Sequence, residues 1–198
     1  MNLVELTSVP STALPIEVFK EHLRLGSGFD QDGAEDRLLE TYLRAAQSAI
    51  EARTGKILIE REIRWDVREW RDRTRQPLPV APVSAIVRMT RVAGSGAEDP
   101  VDAARFRLEA DRQRPAVIST GPALPSIPRG GHVEVVVLAG FGPEWSDLPD
   151  DLAQAVLMLA AHFYEYRAVG IEARSLPQGV AALIERYRTV RLFMGGRS

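Results

Sequence analysis

The sequence predicts an α+β protein, a helical bundle of about four helices with an inserted, mostly antiparallel β subdomain. Three observations carry this. Apolar residues recur at spacings of three and four toward both ends of the chain, within 15–25, 34–54, 150–167 and 178–193. Between 57 and 142 they instead alternate with polar residues or run in short β-branched stretches. Proline and glycine gather at 77–82, 94–100 and 121–131, where loops would separate strands. The chain divides accordingly into 1–55 (an N-terminal arm and two bundle helices), 56–146 (the β-rich insertion) and 147–198 (a central core helix, a C-terminal helix and a tail).

At 198 residues, 45% hydrophobic and 26% charged, the chain has the make-up of a globular protein able to bury a real core. A net charge of -2 gives no global reason to expect nucleic acid or an anionic membrane as partner. The absence of cysteine excludes disulfides and thiolate chemistry and fits a reducing compartment. No basic segment followed by an apolar run opens the chain, so no secretory signal is visible, and folding in the cytoplasm is the expectation.

Residues 1–12 read as an extended arm. Pro15 stands at a first helical position, with Ile16, Phe19 and Leu23 on one face. The cluster 26–33 breaks that helix. A second one is expected over 34–54, with Asp32 as N-cap, Glu35 at the capping-box spacing and Gly55 as C-cap. Its buried stripe should be Leu38, Leu39, Tyr42, Ala45, Ala46, Ala49 and Ile50, the small alanines allowing close approach to the central helix. Past Gly55, Ile57, Ile59, Ile63, Trp65 and Val67 alternate with Leu58, Glu60, Glu62, Arg64, Asp66 and Arg68, which would face outward, the pattern of a half-buried strand or two joined ones. The segment 71–82 reads as a basic loop closed by prolines, 84–92 as a strand, and 94–100 as a turn or longer loop. Residues 105–109 and 116–119 suggest a short hairpin. Too rich in proline and glycine for regular structure, 121–131 precedes the clearest strand, 132–142.

The central pillar is expected over Asp150–Arg167. Leu152, Val156, Leu159, Phe163 and Tyr166 share a face, and Leu157, Ala160, Ala161 and Tyr164 carry the apolar surface around the cylinder. Asp147, Asp150 and Asp151 complement the positive end of its dipole. After a polar connector, a last helix over 178–193 would bury Val180, Leu183, Ile184, Tyr187 and Val190.

No catalytic constellation emerges. His22, His132 and His162 form no compact metal-ligand spacing and read as solvent-facing or satisfied structural histidines. Asp30, Asp32 and Glu35 are explained by helix capping, and the two Gly-Ser-Gly runs lack the strand–loop–helix context of a phosphate loop. No GxSxG elbow is present. Two basic clusters remain. Arg71, Arg73 and Arg75 lie beside Trp70, and Arg186, Arg188, Arg191 and Arg197 lie in the last helix and tail beside Tyr187 and Phe193. Arginine next to aromatics suits nucleic acid, a protein interface or a plain solvated face.

Beyond these patterns the chain resembles the head–tail connector, or adaptor, proteins of long-tailed double-stranded DNA phages and the related gene transfer agents. The likeness rests on AGFG (139–142), LPDDLAQAVLMLAAHFYEYR, LPQGVAALIERYRTVRLF (176–193), PIEVFKEHLRL, LLETYLRAAQSAIEARTGKIL and LPVAPVSAIVRM, in that family's order of elements, from Pro15 to Phe193. It implies a virion component without enzymatic activity or cofactor. Such a protein would form a ring of about twelve copies under the portal, let DNA pass without specific binding, and receive a tail-completion protein. It would be assembled in the host cytoplasm and would have no membrane partner. Docking on the portal would fall to the C-terminal segment, through Arg191, Leu192, Phe193, Met194 and Arg197. Trp70, Arg71, Arg73 and Arg75, with no obvious partner within one chain, are expected at a subunit or tail interface. A DNA-binding packaging accessory using the same arginines is the alternative.

Overall fold

Residues 2–24, 34–166 and 176–188 are described by the structure, a computed structural model of the chain. Four helices form one layer: α1 (Ile16–His22), α2 (Ala34–Thr54), α3 (Asp150–Glu165) and α4 (Gln178–Ile184). Their shared core joins Phe19, Leu39, Leu43, Ile50, Leu152, Leu159, Val180 and Ile184, each at most 1% exposed. The small residues Ala46, Ala155 and Ala160 are also fully buried, consistent with close packing of α2 on α3, and Tyr42 meets Tyr164 edge-on at 5.8 Å. Gly55 stops α2 in the left-handed conformation, φ +68°, as its C-cap position requires.

The second layer is a β sandwich. Its larger sheet runs β1 (Asn2–Glu5), β2 (Arg61–Val67), β8 (His132–Ala139), β4 (Val83–Val92) and β5 (Glu98–Pro100), all antiparallel. The smaller is β3 (Arg75–Pro77), β7 (Ala116–Ser119) and β6 (Phe106–Glu109). Between them lie Ile63, Trp65, Val67, Met89, Phe106, Val117, Val133, Val135 and Val137. The clearest strand of the sequence, β8, is thus the middle of the larger sheet. The 106–109 and 116–119 hairpin forms as expected.

Several elements depart from the sequence reading. The arm is extended but pairs with β2 as an edge strand. Residues 98–100 add a fifth strand where a loop was expected, and β3 forms inside the basic loop. Leu58, expected to face outward, is buried with Ile59 in the bundle core while Ile57 enters the sandwich core, because this stretch crosses between the two layers. On α2 the buried stripe is Leu39, Leu43, Ala46 and Ile50; Leu38 and Ala45 point outward. On α3 the buried residues are Leu152, Ala155, Val156, Leu157, Leu159 and Ala160, with Phe163 half-buried and Tyr166 exposed. The last helix ends at Ile184 and tightens into a 3-10 turn, Glu185–Tyr187, after which Arg188 is extended. The tightening puts the Tyr187 hydroxyl 2.7 Å from Asp151 Oδ1, to which it donates. Asp32 and the 26–33 break lie outside the described residues, as does Val190. Among the described residues no helix is long and apolar enough to cross a membrane.

Candidate functional site

The joint between the layers is polar and tightly bonded. Arg61, buried on β2, donates through Nη2 to Glu51 Oε2 at 2.7 Å and through Nη1 to Glu51 Oε1 at 3.0 Å; its Nε lies 3.2 Å from Glu5 Oε1. Burial works against the guanidinium's charge, but the bonds and charge of Glu51, with Glu5 adding, hold its pKa above the ordinary value. Glu51 Oε1 also accepts from the Leu58 N–H, which pins the crossing strand to α2. Close by, Lys56 is 1% exposed, and among the described residues its Nζ reaches only the carbonyls of Gln113 at 3.3 Å and Arg112 at 3.5 Å, in the β6–β7 turn. Burial pushes the Lys56 amine down, with the charge of Asp111 partly opposing.

The outer face of the small sheet gathers arginines from distant parts of the chain. Register places Arg75 and Arg107 on either side of Ile118, in one row across three strands. Arg73 and Arg105 are brought alongside by backbone bonds: Leu124 N–H donates to the Arg73 carbonyl, Thr120 N–H to that of Arg105, and Ser119 N–H to that of Thr74. The Asp72 carboxylate stiffens the loop by accepting from Thr74 N and Oγ1 and from Arg75 N, and these bonds, Thr74 N–H first, hold its pKa below the usual range. Two of the residues expected at an interface have partners inside the chain. Trp70 is half-buried against the sandwich core and donates its indole N–H to the Pro125 carbonyl at 2.7 Å; Arg75 pairs with Glu109 at 2.9 Å. Arg71, Arg73, Arg105 and Arg107 are exposed and, among the described residues, have no carboxylate partner.

The sequence reading missed Arg105 and Arg107. A signal existed, since they flank buried Phe106 in strict alternation, but their neighbourhood with residues 73 and 75 depends on the order β3-β7-β6. The other basic cluster disperses. Arg186 pairs with Asp151 at 2.8 Å and Arg188 with Glu185 at 3.0 Å, while Arg191, Leu192, Phe193, Met194 and Arg197 lie outside the described residues.

An acidic ridge leads into α3. Glu144, Asp147 and Asp150 are exposed and, among the described residues, have no basic partner. Glu144 and Asp147 close a reciprocal capping box, in which Asp147 Oδ2 accepts from Glu144 N at 2.9 Å. Gly142 permits it, because a Cβ there would lie 2.3 Å from Asp147 Oδ2.

His132 has company that its sequence position did not reveal. On the outer face of the larger sheet it converges with Asp66 and Glu134, their ligand atoms all within 4.8 Å. Arg64 already occupies this cluster, 3.2 Å from Asp66 Oδ1 and 3.3 Å from Glu134 Oε1, and Asn2 donates to Asp66 Oδ2. The arrangement is a cross-strand charge network in which the arginine offsets two carboxylates set directly opposite each other. His22 is exposed at the end of α1, and the His162 ring lies tilted against Tyr166 with centroids 4.7 Å apart.

No family model and no curated protein matches the chain. Among solved structures, a chain from the neck of an empty gene transfer agent (GTA) particle computed with C6 symmetry is 52% identical, over 98% of this chain and 99% of that one, with a TM-score of 0.89. One from the virion of a native GTA particle is likewise 52% identical over the same shares, TM-score 0.86. A third, from the neck of a native GTA particle computed with C12 symmetry, is 48% identical over the same shares, TM-score 0.84.

Proposed function

Because the chain belongs to the head–tail connector (adaptor) family of long-tailed double-stranded DNA phages and related gene transfer agents, we propose that it forms the ring beneath the portal through which DNA passes and to which the tail is joined. The coarser part of this, a structural component of the neck of a phage-like particle, rests on one observation: identity of 48–52% over nearly the whole of both chains with proteins of GTA particles, two of them from the neck. Neck structures with sixfold and twelvefold symmetry support a ring of copies, with twelve as the expected number. The portal anchor in this reading is the C-terminal segment, with Phe193 and Met194 as apolar contacts and Arg191 and Arg197 meeting acidic groups. One such segment would bind weakly, and a ring of them strongly, through multivalency.

Deleting Leu192–Ser198 tests the anchor. The truncated protein should fold with unchanged thermal stability while particles accumulate as filled heads without tails. Normal head–tail joining would place the docking surface elsewhere. The alternative, a DNA-binding accessory, draws on the exposed arginines of the small sheet. Against it stand the net charge of -2 and the pairing of Arg186 and Arg188 with carboxylates, since duplex binding relies on clustered free cations. Strong DNA affinity at moderate salt with a steep salt slope would reverse the preference.

A further inference from the structure

We propose that neighbouring copies in the ring meet through the arginine face of the small sheet (Arg71, Arg73, Arg105, Arg107) on one copy and the acidic ridge (Glu144, Asp147, Asp150) on the next. The inference rests on the ring reading and names its contact. A closed cyclic ring is built from heterologous interfaces, so each copy presents two different, mutually complementary patches. The described surface offers such a pair. Among the described residues, none of these four exposed guanidiniums and three exposed carboxylates has a partner of opposite charge.

Topology keeps the two sets apart within one chain. The small sheet approaches the layer joint by its β6–β7 turn, whose carbonyls of residues 112 and 113 receive Lys56. The arginines stand at the other end, beside Ser119 and Thr120, roughly 10 Å along the strands. The ridge rises on the joint side, from Gly142, which is bridged to Ile59.

Both sets are fixed in position before they meet. Arg107 sits in a strand; Arg73 and Arg105 are tied by their own carbonyls, and Arg71 by its N–H to Gln76 Oε1. The capping box and Gly142 fix the ridge. A planar guanidinium fork matches a carboxylate in two bonds, so the pairing sets register as well as attraction. Exposed charge pairs of this kind govern specificity and encounter more than affinity. Copies would therefore stay largely apart in solution and close into a ring when held together on a template.

The absence of cysteine makes the test clean. In particles assembled with full-length chain carrying Arg107→Cys and Asp150→Cys together, a bis-maleimide with a spacer of about 10 Å should give a ladder of covalent oligomers on a denaturing gel, since an arginine–carboxylate pair holds its Cα atoms farther apart than a disulfide spans. Either substitution alone should leave monomers. Double-variant chain present in the particle neck but yielding only monomers would overturn the contact while leaving the ring reading intact. Absence of the unsubstituted chain from the neck of particles assembled in parallel would overturn the ring reading and the contact with it. As a second arm, Arg73→Glu with Arg107→Glu should lower the yield of tailed particles by about tenfold or more, and adding Glu144→Arg with Asp150→Arg should restore most of it. If the reversal abolishes retention on duplex DNA and the exchange restores nothing, the face binds DNA and the proposal fails.

Discussion

The bundle and the sandwich bury comparable kinds of surface but end in opposite ways. In the bundle, leucine, alanine and isoleucine interlock from four helices, and several of its charged groups are matched at close range, the ridge that opens α3 excepted. Examples are Lys20 with Glu17 and Asp36, Arg44 with Glu40, and Arg186 with Asp151. The sandwich core is valine-rich, with Trp65, Met89 and Phe106 between the sheets; its larger sheet pairs Arg64, Arg88 and Arg91 with carboxylates, whereas four arginines at its small sheet have no carboxylate partner among the described residues. Matched surfaces suit the inside of one subunit, and unmatched, rigidly held ones suit a contact still to be made. The bundle therefore reads as the scaffold, and the small sheet and the ridge at the start of α3 as the parts that face outward to a partner. What makes them one body is the polar joint of Glu51, Arg61 and Lys56.

Breaking that joint should have the largest effect. Glu51→Ala would leave buried Arg61 with only Glu5 and the Ile59 carbonyl, and would orphan the Leu58 N–H. Removing one member of a buried ion pair costs about 3–5 kcal/mol. Denaturant titration should show that loss, with the two layers no longer melting together. Glu51→Leu combined with Arg61→Met should recover most of it, because no charge is then left buried alone. A cost below about 1 kcal/mol for Glu51→Ala would mean water replaces the carboxylate freely and the joint is not what couples the layers.

Next in size is a cut within the scaffold. Leu159→Ala, 1% exposed at the centre of α3, should destabilise by about 2–5 kcal/mol, mostly through the cavity it leaves. The same truncation at Val135, buried in the sandwich, removes fewer atoms and should cost less. An equal or larger loss at Val135, measured by the same titration, would mean that the sandwich relaxes around a cavity less readily than the bundle does.

These positions also show what the sequence could reveal. Periodicity located α2 to the residue and placed β8, the small hairpin and α3 within a few residues, because each has its own apolar face. It mistook Tyr166 for core and overlooked Leu43, since a helix apolar on several sides leaves the choice of face to its neighbours. It missed β1, β3 and β5, whose three or four residues have no pattern of their own and become strands by pairing. For the interaction surface, the loop arginines were visible but not which were already engaged. That Arg75 meets Glu109, 34 positions along, and that Arg107 joins the row while Trp70 leaves it, are consequences of strand order.

The smallest effect, and the one with a size that depends on pH, belongs to Lys56. Its amine is buried where the sandwich hairpin leans on the joint and has only two long bonds to carbonyls, 3.3 and 3.5 Å. Burial lowers its folded pKa below the unfolded value of about 10.4. Below the folded pKa both states carry the proton, and the native state bears the full cost of the buried charge. As pH rises from the folded pKa toward the unfolded one, the unfolded state binds more protons than the native state, so stability increases until both are neutral. Lys56→Met keeps the chain's apolar length and removes the charge, so it should stabilise the protein by about 1 kcal/mol at neutral pH. That gain should shrink steadily as pH approaches about 10.4, because the wild type is relieved of the same cost there. Denaturant titrations of both proteins from neutral to alkaline pH would trace the two curves. If Lys56→Met is instead destabilised at neutral pH, the bonds to Gln113 and Arg112 and the attraction of Asp111 outweigh burial. The lysine would then be a clasp holding the small sheet to the joint, not a tolerated burden at it.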